Sequence, residues 1–392
     1  MKTRVLIFVR YYLPAYKCGG PVRTIANMVD HLGDQLDLNI VAWDHDSFET
    51  CSFPNVAVDS WNRVGAASVF YAAPDFLTYA NVSKLLRETP HDVLYLNSFF
   101  DPRFTALPLI VNRLQKGATK PVVLAPRGEF SPGALAIRRW KKKLYLSLSR
   151  AVGLYRGVTW QASSAHEADD IRRTLGSLAE RIVVAPNLPA VVIHPEAVTC
   201  KRKKSEGDPV RVVFISRVSP KKNLAFALSV LCAARVPVVF DVYGLVDDDR
   251  YWDRCQLAAA DLPPHVVFNY RGIVEHDKVH STFEDYDLFF LPTMGENFGH
   301  VIQESLSAGT PVLVSDQTPW RDLDEAGVGW VRSLGDPDAF LRAIHDFQLK
   351  SADERMTQRT LARAYAKRVA TNPDTVTRNL SLFLEVAVRG NH

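Results

Sequence analysis

Two glutamates, Glu296 and Glu304, stand with seven residues between them in the segment GENFGHVIQE, which follows the apolar run DLFFLP. Glycines at 295 and 299 let the backbone of such a loop approach a ligand closely. The helix-like run that follows offers free N–H groups at its N-terminus to an anion such as a diphosphate. A carboxylate is a natural acceptor for the two hydroxyls of a ribose, so two acids at this spacing would sit at different depths beside one pocket. Alone, such a pair fits an acidic loop followed by an ordinary amphipathic helix better. Its place after a buried strand, and two companion segments, turn the reading toward a site.

The first companion is VRVVFISRVSPKKN, a strand running into Arg217 and, after four further residues, Lys222. Two cations at a strand's carboxyl end would neutralise the same diphosphate and stabilise it as a leaving group. The second lies near the start, where RVLIFVRYYLP gives way to AYKCGGPVRTIANMV. There Gly19 and Gly20 make a flexible loop, and Pro21 begins a helix.

The elements that must position these residues alternate along the chain. Apolar runs at 4, 38, 92, 121, 158 and 181 are separated by longer amphipathic stretches, the pattern of parallel strands and covering helices. LPAVVIHPEAVTCKRKKSEGDP then breaks the period, and a second series begins with strands expected at 210, 236, 266, 287, 311 and 328. The expected organisation is an N-terminal Rossmann-like domain at 1–188, a linker at 189–209, a second such domain at 210–372 and a closing helix at 373–392. That helix would bury Val376, Leu380, Phe383, Leu384 and Val388. Strands near-continuously apolar predict buried parallel sheets in both halves, an α/β protein of two doubly wound domains facing a cleft.

A chain of 392 residues suits two domains. Its net charge of +4 suits an anionic ligand and falls short of a nucleic-acid-binding balance, so no nucleic-acid partner is expected. Cys18, Cys51, Cys200, Cys232 and Cys255 are scattered, without metal-ligand spacing, and read as free thiols in a reducing compartment. The apolar run Val5–Val9 meets Arg10 at once and reads as a strand, not a signal peptide. No apolar stretch is long enough to span a bilayer, so a cytoplasmic protein is expected.

GG-P after the first strand, SRVSPKKN, ENFGHVIQE and SLSAGTPVLVSD together resemble the retaining GT-B glycosyltransferases of family 4, most specifically over 210–320. The resemblance implies a nucleotide-sugar donor, a UDP- or GDP-sugar, held mainly by the C-terminal lobe. It also implies an acceptor held mainly by the N-terminal lobe, and catalysis with no bound metal and no other cofactor. By position, Arg217 and Lys222 would contact the donor diphosphate, Glu304 the ribose and Glu296 the transferred sugar. Backbone groups around Phe298, Gly299, His300 and Val301 would cap phosphate or sugar oxygens, and those of Arg271, Gly272 and Val274 would meet the base. The resemblance further implies retention of anomeric configuration, with the leaving diphosphate taking the acceptor's proton.

Two positions depart from the family pattern. In PVVLAPRGEFSPGAL, Arg127 stands where many members carry a histidine, and its role as a sugar or phosphate contact is an expectation. In APNLP, Leu188 replaces a glycine. Of the remaining histidines, His300 lies at the donor loop and His166 reads as a helix-start residue. The run IRRWKKKLYLSLSR sets Arg138, Arg139 and Lys141 to Lys143 beside Trp140, Leu144 and Leu146. It reads equally as a dock on an anionic membrane, where a lipid-linked acceptor would reside, and as a solvated basic face.

The expected activity is transfer of a hexose to a glycan or lipid-linked saccharide, in exopolysaccharide or lipopolysaccharide synthesis. The alternatives are a GT-B nucleotide-sugar epimerase and a non-catalytic nucleotide-sugar-binding protein. Arg217, Lys222, Glu296 and Glu304 speak against the last.

Overall fold

The computed structural model describes residues 2–17, 19–115, 119–136, 139–190 and 208–390. The chain divides into two compact units, Met1–Val191 with Asn372–His392, and Val192–Thr371. Cys18, Arg138 and most of the expected linker, including Cys200, lie outside the described residues.

The first unit is built on eight strands. They are β1 (Thr3–Phe8), β2 (Leu36–Trp43), β3 (Trp61–Val64), β4 (Ala67–Ala72), β5 (Val93–Asn97), β6 (Val122–Ala125), β7 (Thr159–Ala162) and β8 (Arg181–Val184). Their order in the sheet is β3-β4-β2-β1-β5-β6-β7-β8. The chain builds outward from β1 in one direction and from β5 in the other, so the strand order reverses between β1 and β5. Loops leaving the carboxyl ends of these two strands flank the crevice that such a reversal opens.

One expectation is corrected at the sheet edge. WNRV and ASVFYA form an antiparallel hairpin, so the first sheet is mixed rather than wholly parallel. Gly65, at φ 58°, closes the turn, and β3 shows its residues alternately to solvent, as an edge strand does.

The C-terminal helix Pro373–Arg389 packs on this unit's core through Leu382, Phe383, Val386 and Ala387, and the Phe383 ring meets Tyr95 edge-on at 5.1 Å. Its buried face is rotated from the expected one: Leu384 and Val388 are exposed, and Asn379 is buried. Asn379 is tolerated there because its amide donates to the carbonyls of Pro186 (2.7 Å) and Thr375 (2.9 Å) and its oxygen accepts from Gln161 (3.2 Å). A polar side chain in the middle of an apolar face hides that face from a hydrophobicity pattern.

The second unit carries β9 (Val210–Ile215), β10 (Val238–Tyr243), β11 (Val266–Gly272), β12 (Leu288–Leu291), β13 (Val312–Ser315) and β14 (Gly329–Arg332). Every neighbouring pair is parallel, in the order β11-β10-β9-β12-β13-β14. Strands such as LFFL and VLVS are buried along their whole length, which is why they read as unbroken apolar runs. Here the order reverses between β9 and β12. Gly244, just past β10, lets the ends of β9 and β10 close up: a Cβ there would lie 1.8 Å from the Ser216 carbonyl oxygen.

Candidate active site

In the second unit the loops leaving β9 and β12 are stitched together at the reversal point. Asn223, at φ 64°, caps the helix Leu224–Leu231, and its side-chain amide donates to the Pro292 carbonyl at 3.0 Å. The Met294 N–H donates to the Lys221 carbonyl at 2.8 Å. From the far side, the Ser315 hydroxyl donates to the Thr293 carbonyl at 2.5 Å, and the Glu296 N–H donates to the Gln317 carbonyl at 3.0 Å. Backbone carbonyls thus fix both loops before any ligand is involved.

This framework brings Lys222 to Glu296, with Nζ donating to Oε1 at 2.5 Å and only 15% and 11% of the two side chains exposed. Burial pushes the Glu296 carboxyl up. The Lys222 ammonium, helped by Lys221 and the Thr293 hydroxyl, more than offsets this and holds it below the ordinary carboxylate range. The result is a fixed, charged acceptor and a fixed cation at the carboxyl end of a sheet.

Beside them Gly299, at φ 82°, caps the helix His300–Ser307. The Ile302 N–H closes back on the Gly299 carbonyl at 2.8 Å, and the amides of His300 and Val301 head the helix. Phe298 is held by Trp320, whose indole donates to its carbonyl at 2.5 Å, and its ring packs on His300 at 4.8 Å. Glu304 sits within the helix, half-buried.

Other expected site residues in this unit are engaged elsewhere. Arg217 is exposed and donates to Asp247 at 2.8 Å. Its charge is therefore not shared with Lys222, which answers Glu296. The half-exposed Arg271 guanidinium pairs with buried Asp241 at 3.3 Å. Beside it the Gly272 carbonyl accepts from the Gly244 N–H at 2.8 Å. Val274 is half-buried against the core.

In the first unit Gly19, at φ 58°, caps the helix that Gly20 begins, and a Cβ on either would meet no atom within 4 Å. Arg127, at φ 56°, is a hub rather than a free cation. It donates to Asn97 Oδ1 (2.8 and 3.1 Å), Asn187 Oδ1 (2.5 Å) and the Tyr95 hydroxyl (2.5 Å). Tyr95 donates onward to Gln161 at 2.5 Å, and Gln161 donates to Asn379. The following Glu129 accepts from the Ser98 hydroxyl (2.7 Å) and the amides of Phe99 (2.5 Å) and Phe100 (3.2 Å). Burial nevertheless pushes its carboxyl above the ordinary value. His166 stands exposed in the first turn of its helix, 3.9 Å from Asp170.

The family model of glycosyl transferases group 1 matches residues 199–365, nearly the whole second unit. The second unit is a group 1 glycosyltransferase domain. Around it the chain has the GT-B fold. It is similar over 97% of its length to 99% of WaaG, a glycosyltransferase involved in lipopolysaccharide biosynthesis (TM-score 0.66, 15% identity). Anabaena HepE in complex with UDP-glucose matches equally widely, 97% of this chain and 99% of that one (TM-score 0.68, 16% identity). Phosphatidyl-myo-inositol mannosyltransferase of Mycolicibacterium smegmatis is 26% identical over 286 residues, 70% of this chain and 67% of that relative.

In this glycosyltransferase domain, then, Lys222, Glu296 and the Gly299-capped helix meet at one point, and Glu304 lies on that helix. Arg217 and Arg271 are drawn off by Asp247 and Asp241. The residues that sequence reasoning missed are Asn223, Thr293 and Ser315, which hold the loops without bearing charge. Asn223 stands at the helix start but makes no side-chain cap bond, its amide reaching Pro292 instead, while Thr293 follows one buried strand and Ser315 ends another, so none of the three left a local signal.

Proposed function

We propose that the chain transfers a hexose from a UDP- or GDP-sugar to a glycan or lipid-linked saccharide, with retention of configuration, in exopolysaccharide or lipopolysaccharide synthesis. The observation that carries this reading is the buried Lys222–Glu296 pair beside the Gly299 helix N-terminus at the strand-order reversal. The helix amides and Lys222 take the donor diphosphate, Glu304 the ribose, and Glu296 the hydroxyls of the transferred sugar. Arg217 joins the diphosphate when the donor competes it away from Asp247. As the bond from the anomeric carbon to the diphosphate oxygen breaks, its electron pair goes to the diphosphate. The acceptor hydroxyl then bonds the anomeric carbon on the same face, and its proton passes to the leaving oxygen. Fixed cations facing the developing charge supply the stabilisation, and no metal is needed in this scheme.

HepE is described in complex with UDP-glucose, and the mycobacterial relative is named for a lipid acceptor; both support this choice of partners. The helix Arg139–Ala151 adds a surface suited to a lipid-borne acceptor. Trp140, Leu144 and Leu148 are exposed at four-residue spacing, and Val152 continues the row. Tyr145 and Leu146 turn into the core, so Leu146 does not belong to the outer face, and Lys142 donates inward to the Ala134 carbonyl at 2.7 Å. Lys141, Lys143 and Arg150 flank the row and suit the anionic cytoplasmic face of a membrane. Among the described residues no helix is long and apolar enough to cross one.

A thermal-shift panel of UDP-, GDP- and ADP-sugars tests the donor assignment. One should raise the transition, by about 2.7 kcal/mol of stability at a hundredfold excess over its Kd, and Glu296→Ala should abolish its turnover. A flat panel, or an unchanged rate in the variant, refutes the assignment.

A further inference from the structure

The loop after β2, Asp44-His45-Asp46, belongs to none of the motifs above. Asp44 is buried and both its carboxylate oxygens are engaged: Oδ1 accepts from His45 Nδ1 at 2.7 Å, and Oδ2 from the Ser52 hydroxyl at 2.6 Å. Its backbone is fixed too, the N–H donating to the Ala72 carbonyl (3.2 Å) and the carbonyl accepting from the Phe53 N–H (2.7 Å). The imidazole stacks on Trp43 (5.8 Å between centroids, 21° between planes) and meets the edge of Tyr11 at 6.5 Å. The ring is therefore held at one nitrogen and on two sides.

A carboxylate oxygen can only accept, so Nδ1 carries the hydrogen of that bond, which leaves Nε2 as the ring's remaining polar position. Nε2 meets no partner among the described residues, and 14% of the side chain is exposed. His31 and His265, by contrast, place Nε2 against backbone carbonyls. Asp46 fixes the backbone next to the ring. Its Oδ2 accepts from the amides of Tyr16 (2.8 Å) and Lys17 (3.1 Å), which tie His45 to the loop leading into Gly19-Gly20 at the carboxyl edge of the first sheet. A ring oriented by a buried carboxylate, with its second nitrogen unengaged, is built to hydrogen-bond a group from outside.

The geometry points to His45 as a specificity residue for the acceptor: Nε2 hydrogen-bonds a hydroxyl of the incoming saccharide, with Asp44 fixing the ring. This rests on the glycosyl-transfer reading above. The test uses the full chain, the nucleotide sugar that stabilises it, and octyl β-glucoside, β-galactoside and α-mannoside as probe acceptors. Transfer and donor hydrolysis are measured together, and the His45 Nε2 resonance is followed by nitrogen NMR. His45→Ala should raise the KM for the accepted glycoside about tenfold, the effect of one lost hydrogen bond, while donor hydrolysis and the donor thermal shift stay within twofold. His45→Gln, which keeps a hydrogen-bonding amide near Nε2, should recover most of the loss, and the glycoside should move the Nε2 resonance. An unchanged KM in His45→Ala overturns the proposal, as does an equal fall in hydrolysis, or a panel in which no glycoside is glycosylated or moves the resonance. A wild-type chain that neither binds nor hydrolyses any nucleotide sugar fails earlier, at the donor assignment, before any variant is compared.

Discussion

Lys222 and Glu296, 74 residues apart in sequence, meet at 2.5 Å with neither side chain more than 15% exposed. Each needs the other, because a buried charge deprived of its partner is destabilising by about 3–5 kcal/mol. Lys222→Met should lose about 3 kcal/mol at pH 7. The sign of the pH dependence follows from the depressed carboxyl. In the wild type the pair's contribution is complete above the ordinary value of 4.5 and is lost only as pH falls through the lower folded value. In Lys222→Met burial dominates and raises the carboxyl, so the deficit should be greatest at neutral pH and shrink toward pH 4.5. Urea midpoints at pH 5 and 7 measure this, and a deficit that grows in acid contradicts it. Glu296→Gln, which keeps the shape and loses the charge, should lower kcat about a hundredfold.

Gly299 and Gly244 should fail differently when given a side chain. At Gly299 the new Cβ would lie 2.8 Å from Ile302 Cδ1, a side-chain end that can move, so the main cost is the backbone at φ 82°. Gly299→Ala should lose about 1–2 kcal/mol, remain folded and bind nucleotide sugar more weakly. At Gly244 the obstacle is a backbone carbonyl at 1.8 Å, fixed within the sheet. Gly244→Ala should yield little soluble protein. Equal melting temperatures for the two variants would show that neither close approach matters.

Arg127 should behave as a residue of stability before it behaves as one of chemistry. Its guanidinium serves three acceptors from β5 and from the segment after β8, and a lysine cannot reproduce that fork. Arg127→Lys should cost about 2–3 kcal/mol in urea unfolding, while the nucleotide-sugar thermal shift persists. A variant of full stability and no turnover would instead make Arg127 a direct substrate contact.

What could be read from the sequence followed from how each element is buried. Strands such as VVLA and LFFL have both faces covered and announce themselves as apolar runs, and the GENFGHVIQE loop announces itself through its glycines. The β3–β4 hairpin did not, because β3 is a four-residue edge strand, none of whose residues is fully buried, so it leaves no apolar run. The face of the closing helix was misplaced because Asn379, a polar residue, lies at its centre. The partners of Arg217 and Arg271 were invisible because Asp247 and Asp241 come from the β10 region, and only the sheet order sets them beside the cations. His45 escaped for the same reason, since its orientation depends on Trp43 and Tyr11 packing about it. Charge and glycine are local signals, whereas pairing is a product of topology.

The exposed row Trp140, Leu144, Leu148 and Val152 gives the last prediction. An apolar ladder on a helix with flanking lysines lowers its free energy by entering a lipid interface, and the cations add about 1 kcal/mol each near an anionic surface. The full chain should therefore float with vesicles containing anionic phospholipid and remain in solution with purely zwitterionic ones. Leu144→Glu with Leu148→Glu should abolish flotation without shifting the melting temperature, because both side chains face solvent. Lys141→Glu with Lys143→Glu should weaken it in a salt-dependent way, since that term is screened. Retained flotation in the double-glutamate leucine variant would assign binding to another surface. A fall in melting temperature would show that the row packs against protein after all.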